Sequence, residues 1–362
     1  MRSDDAVGAI AVFDLGGTWF RWGRYTLSLG LLEFQRAPAI SYMSHPQLSA
    51  EELQWAMSDF VIQRAHDMRR AGPGDLRMAS VSVGAVMNAF DETILGSGPL
   101  WGPTAKPFRL HSRLVQAMPE LEWQVINDIT ALLAPYMEDG TAFRKTLLLT
   151  ISTGIGCRLY DHQTHRIPYD LRHGIQGEIG HLVVTFELDG KAVHRKCECG
   201  GSDHLNAFSS GRGIARTLQD LPRFESTYST IFSEPSMLWA QADDDYRLSA
   251  FKTQLDCSNS AACMLLDACV TPVSRTLATA LSVDPQIDRI VITGGVAQGL
   301  GAHYRRSLAR TFERDGLYQI TERDPQYLTS RLQWEEPDDS GGLRGAGIYA
   351  KLNSRSTSHP RS

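Results

Sequence analysis

The sequence has little of several features that would each indicate a particular class of protein. Its 362 residues carry a formal net charge of -5, so the basic excess of nucleic-acid or anionic-membrane surfaces is missing. Six cysteines are too few for a disulfide scaffold in a chain of this length. The N-terminus has an acidic start and a short apolar run, unlike a secretory signal. No apolar run reaches the roughly 20 residues that span a bilayer. We therefore expect a cytoplasmic protein with small-molecule ligands and neither a nucleic-acid nor a membrane partner.

What the chain does contain is an ordinary globular composition. Hydrophobic residues make up 42% and charged residues 21% of the sequence, which permits a normal core and argues against global disorder. A length of 362 residues accommodates two domains of ordinary size. Two polar stretches, 226–237 and 354–362, are expected to be irregular.

A glycine turn follows the first apolar strand. The run Ala9–Leu15 is typical of a buried strand, and Trp19–Thr26 alternates like a second one. Between them lie Gly16, Gly17 and Thr18, and Asp14 precedes the turn. Backbone N–H groups at such a turn can hold a phosphate, and Asp14 can orient hydrated Mg bound to that phosphate. The alternative is an ordinary hairpin turn with a polar flank.

The same arrangement recurs in the middle of the chain. The strand Thr146–Ser152 ends in Thr153, Gly154, Ile155 and Gly156, and a strand over Cys157–Tyr160 follows. Two copies of strand, glycine turn and strand indicate a duplicated α/β unit, with phosphates held by both turns. A third turn, Gly294 and Gly295, follows the strand Ile287–Ile292, where a nucleoside or its phosphate can rest against the backbone.

Two further positions are candidates for ligand contact. Asp128 follows the strand Glu122–Asn127, and a carboxylate at the carboxyl end of such a strand faces the ligand crevice of an α/β sheet. Asp128 can equally be the N-cap of the next helix, and the two roles are compatible. Trp101, in the loop Gly96–Pro103, is either a stacking platform for a ring-shaped ligand or a core residue.

A cluster of metal-binding residue types lies between Gly174 and Asn206. His181, Cys197, Cys199 and His204 form a plausible set of four zinc ligands, since zinc prefers four nitrogen or sulfur donors. The alternative is a polar loop with two incidental cysteines. A metal on His181 would also fix the backbone that carries Glu178, which favours substrate recognition by this carboxylate over a surface position.

Six motifs together resemble the ROK family of sugar kinases, which includes glucokinase-like enzymes. They occur in the family's order over nearly the whole chain: FDLGGT (Phe13–Thr18), IND (Ile126–Asp128), STGIG (Ser152–Gly156), GEIGH (Gly177–His181), CECG (Cys197–Gly200) and ITGG (Ile292–Gly295). The resemblance implies an α/β protein with the actin-like, hexokinase-like ATPase fold, built from two α/β domains of duplicated RNase H-like type with an interdomain cleft. It places a smaller domain at 1–127, joined by a C-terminal helix at about 343–353, and a larger nucleotide- and zinc-binding domain at 128–342.

The resemblance also implies roles for individual residues. Asp128 would be the general base of an ATP-dependent kinase acting on the exocyclic primary hydroxyl of a sugar-like acceptor. The first phosphate loop would be Asp14, Gly16, Gly17 and Thr18, and the second Thr153, Gly154 and Gly156, with Gly294 and Gly295 near the nucleotide. Asn127, Glu178, His181, Asn206 and Trp101 would lie on the substrate side, and His181 would also bind zinc. The implied cofactors are Mg with ATP and a structural Zn, and the implied assembly is a homodimer.

Three departures from the family pattern bear on the substrate. The third cysteine of the metal motif is replaced by His204, a glutamate that contacts the sugar near its anomeric carbon is replaced by Asn206, and the sugar loop GSGPLWG lacks its asparagine. Retained transfer residues beside altered sugar contacts suggest a C7-cyclitol, which keeps an exocyclic CH₂OH but has no hemiacetal. An ordinary hexose or N-acylated hexosamine remains open, as does a phosphoryl donor other than ATP.

The family also contains non-catalytic, sugar-sensing regulators, which form the alternative function. Such repressors carry a helix-turn-helix domain ahead of the first glycine turn, and few residues precede Ala9 here. The presence of Asp128 also favours the kinase.

Overall fold

The structure is a computed structural model that describes residues 8–72, 76–103, 107–138, 142–221, 228, 231 and 242–357. The chain divides into two compact units. Unit 1 comprises Met1–Ala142, His165–Gln176 and Asp338–Ser362, and unit 2 comprises Phe143–Thr164 and Gly177–Pro337. The first boundary thus falls after Ala142 instead of after Asn127, and a short segment, 165–176, returns to unit 1.

A five-stranded mixed sheet forms the centre of unit 1, in the order β3-β2-β1-β4-β7. The first three strands form an antiparallel meander, whereas β4 runs parallel to β1 and β7 parallel to β4. β5 and β6 pair antiparallel in a separate two-stranded sheet. The strands are β1 (Ile10–Leu15), β2 (Trp19–Thr26), β3 (Gly30–Pro38), β4 (Met78–Val83), β5 (Val86–Met87), β6 (Ile94–Gly96) and β7 (Glu122–Asn127).

The long first helix begins at a capping box formed by Ser49 and Glu52. Ser49 accepts a hydrogen bond from the backbone N–H of Glu52, and the Glu52 carboxylate accepts one from the backbone N–H of Ser49 at 2.8 Å. Its apolar face packs into the core of unit 1. The helices of this part of the chain are α1 (Ala50–Ala71), α2 (Gly98–Trp101), α3 (Leu110–Ala117) and α4 (Asp128–Glu138).

Unit 2 repeats the central strand pairing of unit 1. Its main sheet has the order β13-β12-β8-β9. β8 pairs antiparallel with β9, whereas β12 pairs parallel with both β8 and β13. This matches the order β7-β4-β1-β2 and confirms the duplication that the two glycine turns predict. The strands are β8 (Lys145–Ile151), β9 (Ile155–Asp161), β10 (Glu187–Leu188), β11 (Lys191–Ala192), β12 (Ile287–Thr293) and β13 (Leu332–Trp334).

Helices supply the rest of the unit 2 core. The longest, α8, is by length and composition alone able to cross a membrane, but 61% of its apolar window is buried inside the protein, as in the core helix of a globular domain. The described helices are α5 (Asn206–Ser209), α6 (Gly211–Asp220), α7 (Asp244–Asp256), α8 (Ser260–Val283), α9 (Gly295–Leu300) and α10 (Ala302–Asp315). The polar stretch 226–237 lies outside the described residues, apart from Tyr228 and Ile231.

The last helix, α11 (Gly341–Thr357), returns to unit 1 and packs against β1 and α4. It extends beyond the expected 343–353, so residues 354–357 are helical, and 358–362 lie outside the described residues. Small residues permit its close approach: a Cβ at Gly345 would lie 1.8 Å from the Ala131 carbonyl oxygen, and one at Gly347 would meet the Tyr25 ring.

Candidate active site

Three parallel strands of unit 1 end at the same level and bring three predicted features together. Leu15 pairs with Val83, and Val83 pairs with Asn127. The residues that follow them are Gly16, Gly84 and Asp128. A Cβ at Gly84 would lie 3.6 Å from Asp128 Oδ2 and 3.9 Å from the Gly16 Cα. The Asp128 carboxylate therefore lies beside the first glycine turn, at the sheet edge where α/β proteins bind ligands.

Asp128 both begins α4 and is held in a defined orientation. Its Oδ1 accepts hydrogen bonds from the backbone N–H of Ile129 at 2.9 Å and from Asn127 Nδ2 at 2.8 Å. Asp128 is thus the first residue of α4 and not the residue that caps it, and its role towards a ligand stays a prediction. A fixed carboxylate of this kind is suited to accept a proton from a hydroxyl placed against it.

Asn127 has partners that differ from the expected substrate contact. Its amide donates to the Ala85 carbonyl at 2.9 Å and to Asp128, while its Oδ1 accepts from the backbone N–H groups of Ile129 and Thr130. The residue is only 6% exposed. Asn127 therefore caps α4 and orients Asp128, and its expected contact with a substrate stays a prediction.

Asp14 lies opposite Arg21 in the antiparallel pair of β1 and β2. Arg21 Nη1 is 3.4 Å from Asp14 Oδ2, and Ser82 Oγ donates to Asp14 Oδ1 at 3.2 Å. Burial raises the pKa of Asp14, and Arg21 and Ser82 oppose that rise. Arg21 Nε also donates to Asp339 Oδ1 at 3.1 Å. Arg21 therefore links Asp14, beside the glycine turn, to the segment just before α11.

The first glycine turn is held by its neighbours. Gly16 N donates to the Trp19 carbonyl at 3.1 Å, and Ser41 Oγ donates to the Gly17 carbonyl at 2.6 Å. A Cβ at Gly17 would lie 2.6 Å from Pro99 Cβ, so a larger residue would displace the turn. Thr18, the next residue, is exposed. The turn has a fixed backbone with an accessible hydroxyl at its end.

Trp101 does not present a stacking face. It is 2% exposed and lies edge-on to Phe108, with ring centroids 6.4 Å apart. The expectation of a stacking platform is therefore wrong, and the core alternative is correct. The indole fills the interior of unit 1 because α2 turns it inward.

The second glycine turn, in unit 2, is fixed by Asn206. The Asn206 Oδ1 accepts a hydrogen bond from the backbone N–H of Ile155 at 2.7 Å. Ser152 N donates to the Gly154 carbonyl at 2.9 Å, and Ser152 O accepts from Gly211 N at 2.8 Å. Asn206, which the sequence places on the substrate side, thus holds the turn through its side-chain amide oxygen, and its contact with a substrate stays a prediction. Thr153 remains exposed at the tip, and Gly156 continues into β9 opposite Thr150.

The third glycine turn lies next to the second. Gly294 has φ 102°, a conformation that favours glycine, and a Cβ there would lie 2.5 Å from the Ile151 carbonyl oxygen. The backbones of β8 and β12 thus meet at their carboxyl ends, as the pairing of Thr293 with Thr150 requires. Gly295 begins α9 with open space around it. Two exposed backbone turns therefore share one edge of the unit 2 sheet.

The four expected metal ligands converge in unit 2. One ligand atom from each of His181, Cys197, Cys199 and His204 lies within 4.8 Å of the others. Cys199 Sγ is 3.2 Å from His204 Nδ1, and the turn that carries the cysteines is closed by a bond from Cys197 N to the Gly201 carbonyl at 2.8 Å. Two sulfur and two nitrogen donors at this spacing fit tetrahedral zinc. Burial lowers the pKa of His181 and the neighbouring His204 lowers it further, which favours the neutral imidazole that binds metals.

Glu178 lies in the same short turn as the first of these ligands. His181 N donates to the Glu178 carbonyl at 3.1 Å. The Glu178 side chain is 31% exposed, and burial of the rest raises its pKa against the opposing charge of Arg158. Neither Arg158 nor Arg21 was identified from the sequence as part of a site. The available signal was an arginine inside an otherwise apolar strand.

The chain is similar to known proteins over nearly its whole length. The model of the ROK family matches residues 14–352. A 2-epi-5-epi-valiolone 7-kinase of Actinoplanes sp. SE50/110 is 38% identical over 345 residues, covering 94% of this chain and 92% of the relative. A C(7)-cyclitol 7-kinase of Streptomyces hygroscopicus subsp. limoneus is 29% identical over 358 residues, covering 94% and 93%.

A solved structure supports the fold. The ROK family glucokinase from Streptomyces griseus, in complex with glucose and AMPPNP, has a TM-score of 0.68 at 16% identity and covers 95% of this chain and 100% of its own. The expected actin-like, hexokinase-like ATPase fold is thereby confirmed. The chain belongs to the ROK family, and it is a kinase, a phosphotransferase with an alcohol acceptor.

Proposed function

We propose that the protein transfers a phosphoryl group from ATP to the exocyclic primary hydroxyl of a C7-cyclitol, with Asp128 as the general base. The observation that carries the acceptor class is the similarity over nearly the full chain to two kinases named for position 7 of such rings. The reaction converts ATP and an R–CH₂OH acceptor into ADP and R–CH₂–O–phosphate, and it releases the hydroxyl proton.

The environment of Asp128 supports its role as the base. Asn127 and the N-terminus of α4 fix one carboxylate oxygen, which sets the direction of the group. A carboxylate can take this proton although it is a far weaker base than an alkoxide, because the proton leaves late, as the bond from oxygen to phosphorus forms. Positioning of the hydroxyl against Asp128 is then the main requirement of the step.

Backbone turns provide the proposed nucleotide contacts. Thr18 and Thr153 are exposed hydroxyls at two glycine turns, and Gly294 and Gly295 form the third turn. Peptide N–H groups and threonine hydroxyls suit phosphate oxygens. Mg bound with ATP supplies neutralisation of the phosphate charge, and Asp14, at the carboxyl end of β1, is the residue that would orient its hydration shell.

Glu178 and Asn206 are proposed to select the acceptor. A carboxylate such as Glu178 accepts hydrogen bonds from neighbouring ring hydroxyls, whereas Asn206 places a neutral amide beside the second glycine turn. A carbocyclic ring has no hemiacetal to be recognised by a second carboxylate. The amide of Asn206 is therefore consistent with a cyclitol, and it recognises the hemiacetal of a hexose less well than a carboxylate would.

We also assign a structural zinc ion to His181, Cys197, Cys199 and His204. A closed set of four protein ligands leaves no position for a reacting water, as in structural zinc sites. Bound there, the ion would connect the turn of Glu178 to the segment that ends at Asn206. We also propose a cytoplasmic location and a homodimeric assembly. Light scattering on the purified protein tests the assembly.

A coupled assay of ADP release tests the function. Wild-type protein and Asp128→Asn are incubated with Mg-ATP and, in turn, 2-epi-5-epi-valiolone, glucose, mannose and N-acetylglucosamine. We expect turnover with the cyclitol and a loss of about a hundredfold to ten-thousandfold in Asp128→Asn, the usual contribution of a general base. Equal turnover in the two proteins would remove Asp128 from the reaction. Preferred turnover of a hexose would reject the cyclitol.

A further inference from the structure

Unit 2 buries a positive charge beside a residue of the proposed acceptor site. Arg158 lies on β9, opposite Leu148 of β8, and its side chain is 2% exposed. Removing a guanidinium from water is costly unless polar groups surround it, and an apolar side chain of similar volume would fill the space more cheaply. A buried arginine in a strand therefore calls for a specific partner.

One group that Arg158 faces is the Glu178 carboxylate. Its Nη1 donates to the Cys157 carbonyl at 2.9 Å and lies 3.9 Å from Glu178 Oε1. A Cβ added to Gly177 would be 3.1 Å from the same Nη1 and 1.9 Å from the Cys157 carbonyl oxygen. The guanidinium thus lies directly against the backbone that leads into Glu178.

The same backbone is fixed from the other side. Cys157 N donates to the Gly177 carbonyl at 2.9 Å, and Gly177 has φ 82°. Glu178 therefore follows a glycine that is hydrogen-bonded to β9 and that no other residue replaces without strain. Its carboxylate is 31% exposed, with one oxygen towards Arg158. The Glu178 carboxylate is therefore accessible to a ligand, whereas the Arg158 guanidinium is buried.

We propose that Arg158 is a positioning residue for the acceptor: its buried guanidinium holds the Glu178 carboxylate in the orientation that receives the ring hydroxyls. The proposal rests on the proposed function, which assigns Glu178 to the acceptor. Arg158 acts through Glu178 and touches neither substrate. Its loss should weaken acceptor binding and leave ATP binding unchanged.

A double-mutant cycle tests this link. Arg158→Met, Arg158→Lys, Glu178→Gln and both double variants are compared with the wild type. The calorimetric Kd and the KM for 2-epi-5-epi-valiolone, the KM for ATP, kcat and the melting temperature are measured for each. We expect Arg158→Met to raise the acceptor Kd about tenfold to a hundredfold, in the range of coupling energies between neighbouring side chains. Arg158→Lys should recover part of this loss because it keeps the charge but not the planar fork.

The decisive expectation is non-additivity. In the Glu178→Gln background, either substitution at Arg158 should change the acceptor Kd less than twofold, since the group that it positions is already neutral. Arg289→Met is the matched control: Arg289 is an arginine of β12 that is 3% exposed and donates to Thr146. This control should lower the melting temperature and leave the acceptor Kd unchanged.

Several results would overturn the proposal. One is an Arg158→Met protein that melts earlier, as the Arg289→Met protein does, but binds the acceptor normally. Another is an equal loss of affinity with and without the Glu178 carboxylate. If Arg158→Met fails to fold, the Arg158→Lys cycle decides in the same way. Normal acceptor binding by Glu178→Gln would overturn both this proposal and the role of Glu178. A protein that binds the cyclitol without turnover would contradict the proposed function alone, because the Kd cycle still reports on Arg158.

Discussion

At the scale of single residues, Asp14 and Asp339 contribute to stability with opposite signs. Burial raises the pKa of Asp14, so the folded state disfavours its ionised form. Hydrogen bonds from Arg21 lower the pKa of Asp339, so the folded state favours its ionised form. The two carboxylates share Arg21 as a partner, which makes them a matched pair.

Substitution of Asp14 by Asn should stabilise the nucleotide-free protein while it abolishes turnover. Because the pKa of Asp14 is raised in the folded state, neutral Asp14 stabilises the fold. This stabilisation is fully present below the pKa of the unfolded state, and it is lost as the pH rises through the pKa of the folded state. The amide stays neutral, so Asp14→Asn should raise the melting temperature at pH 7 and have little effect below about pH 3.8, the ordinary aspartate value. Differential scanning calorimetry at several pH values measures this.

Asp339→Asn is the control for that experiment. Because the pKa of Asp339 is lowered, its contribution is present above its unfolded pKa and is lost as the pH falls through the folded pKa. Its replacement should lower the melting temperature at pH 7. A melting temperature that moves in the same direction for both variants would contradict this account of the pair.

The spacing of chemically distinctive residues predicted several residue roles. His181, Cys197, Cys199 and His204 meet as expected because few residues separate three of them and two glycines turn the chain between Cys199 and His204. The structural role of Asn127 could not be predicted, because its amide partner, Ala85, lies 42 positions away between β4 and β5. The importance of Arg158 likewise depends on a contact with Glu178 that β9 creates and that no local pattern encodes.

At the scale of secondary-structure elements, the packing of α11 on α4 depends on glycine. A Cβ at Gly345 would lie 1.8 Å from the Ala131 carbonyl oxygen, a backbone atom that cannot move alone. We expect Gly345→Ala to lower the free energy of unfolding by about 1–3 kcal/mol, the usual range for overpacking. Urea denaturation measures the change.

Gly341→Ala in the same helix is the comparison. A Cβ there would meet Leu132 Cδ2 at 3.3 Å, the end of a flexible side chain, and alanine favours a helix over glycine by about 1 kcal/mol. This variant should be neutral or more stable. Equal destabilisation by the two substitutions would contradict the assignment of the effect to the contact with Ala131.

The cysteine turn is the second element with a direct test. We expect the purified protein to contain about one zinc ion per chain, because four protein donors complete one tetrahedral site. Cys199→Ser should reduce that content to near zero and lower the melting temperature. Cys257, an exposed cysteine outside the cluster, supplies the control: Cys257→Ser should retain the metal. Equal zinc content in the two variants would contradict the assigned ligand set.

Element types were more predictable than their ends. The capping box at Ser49 and the β1–β2 and β8–β9 hairpins follow from local residue patterns. The C-terminal helix begins before and continues beyond its expected bounds because its packing against α4 and β1 adds stability that polar end residues do not reveal.

At the scale of the whole molecule, the duplication is visible in the sequence but the composition of the units is not. The repeated glycine turns predict the repeated strand order that both sheets show. The C-terminal helix belongs to unit 1, as the resemblance implies, whereas no sequence pattern indicates that the segment 165–176 belongs to unit 1 as well. A contiguous boundary cannot describe such a unit, and periodicity along the chain contains no information on which sheet a returning segment joins.

The central claim about the whole molecule is that it phosphorylates the exocyclic hydroxyl of a C7-cyclitol. The most direct test is a competition reaction with Mg-ATP, equimolar 2-epi-5-epi-valiolone and glucose, followed by phosphorus-detected NMR of the products. The account predicts one main product, a cyclitol whose phosphorus couples to the two protons of the exocyclic CH₂ group, with glucose left largely unreacted. A main product of glucose phosphate, or a phosphate on a ring hydroxyl of the cyclitol, would contradict it.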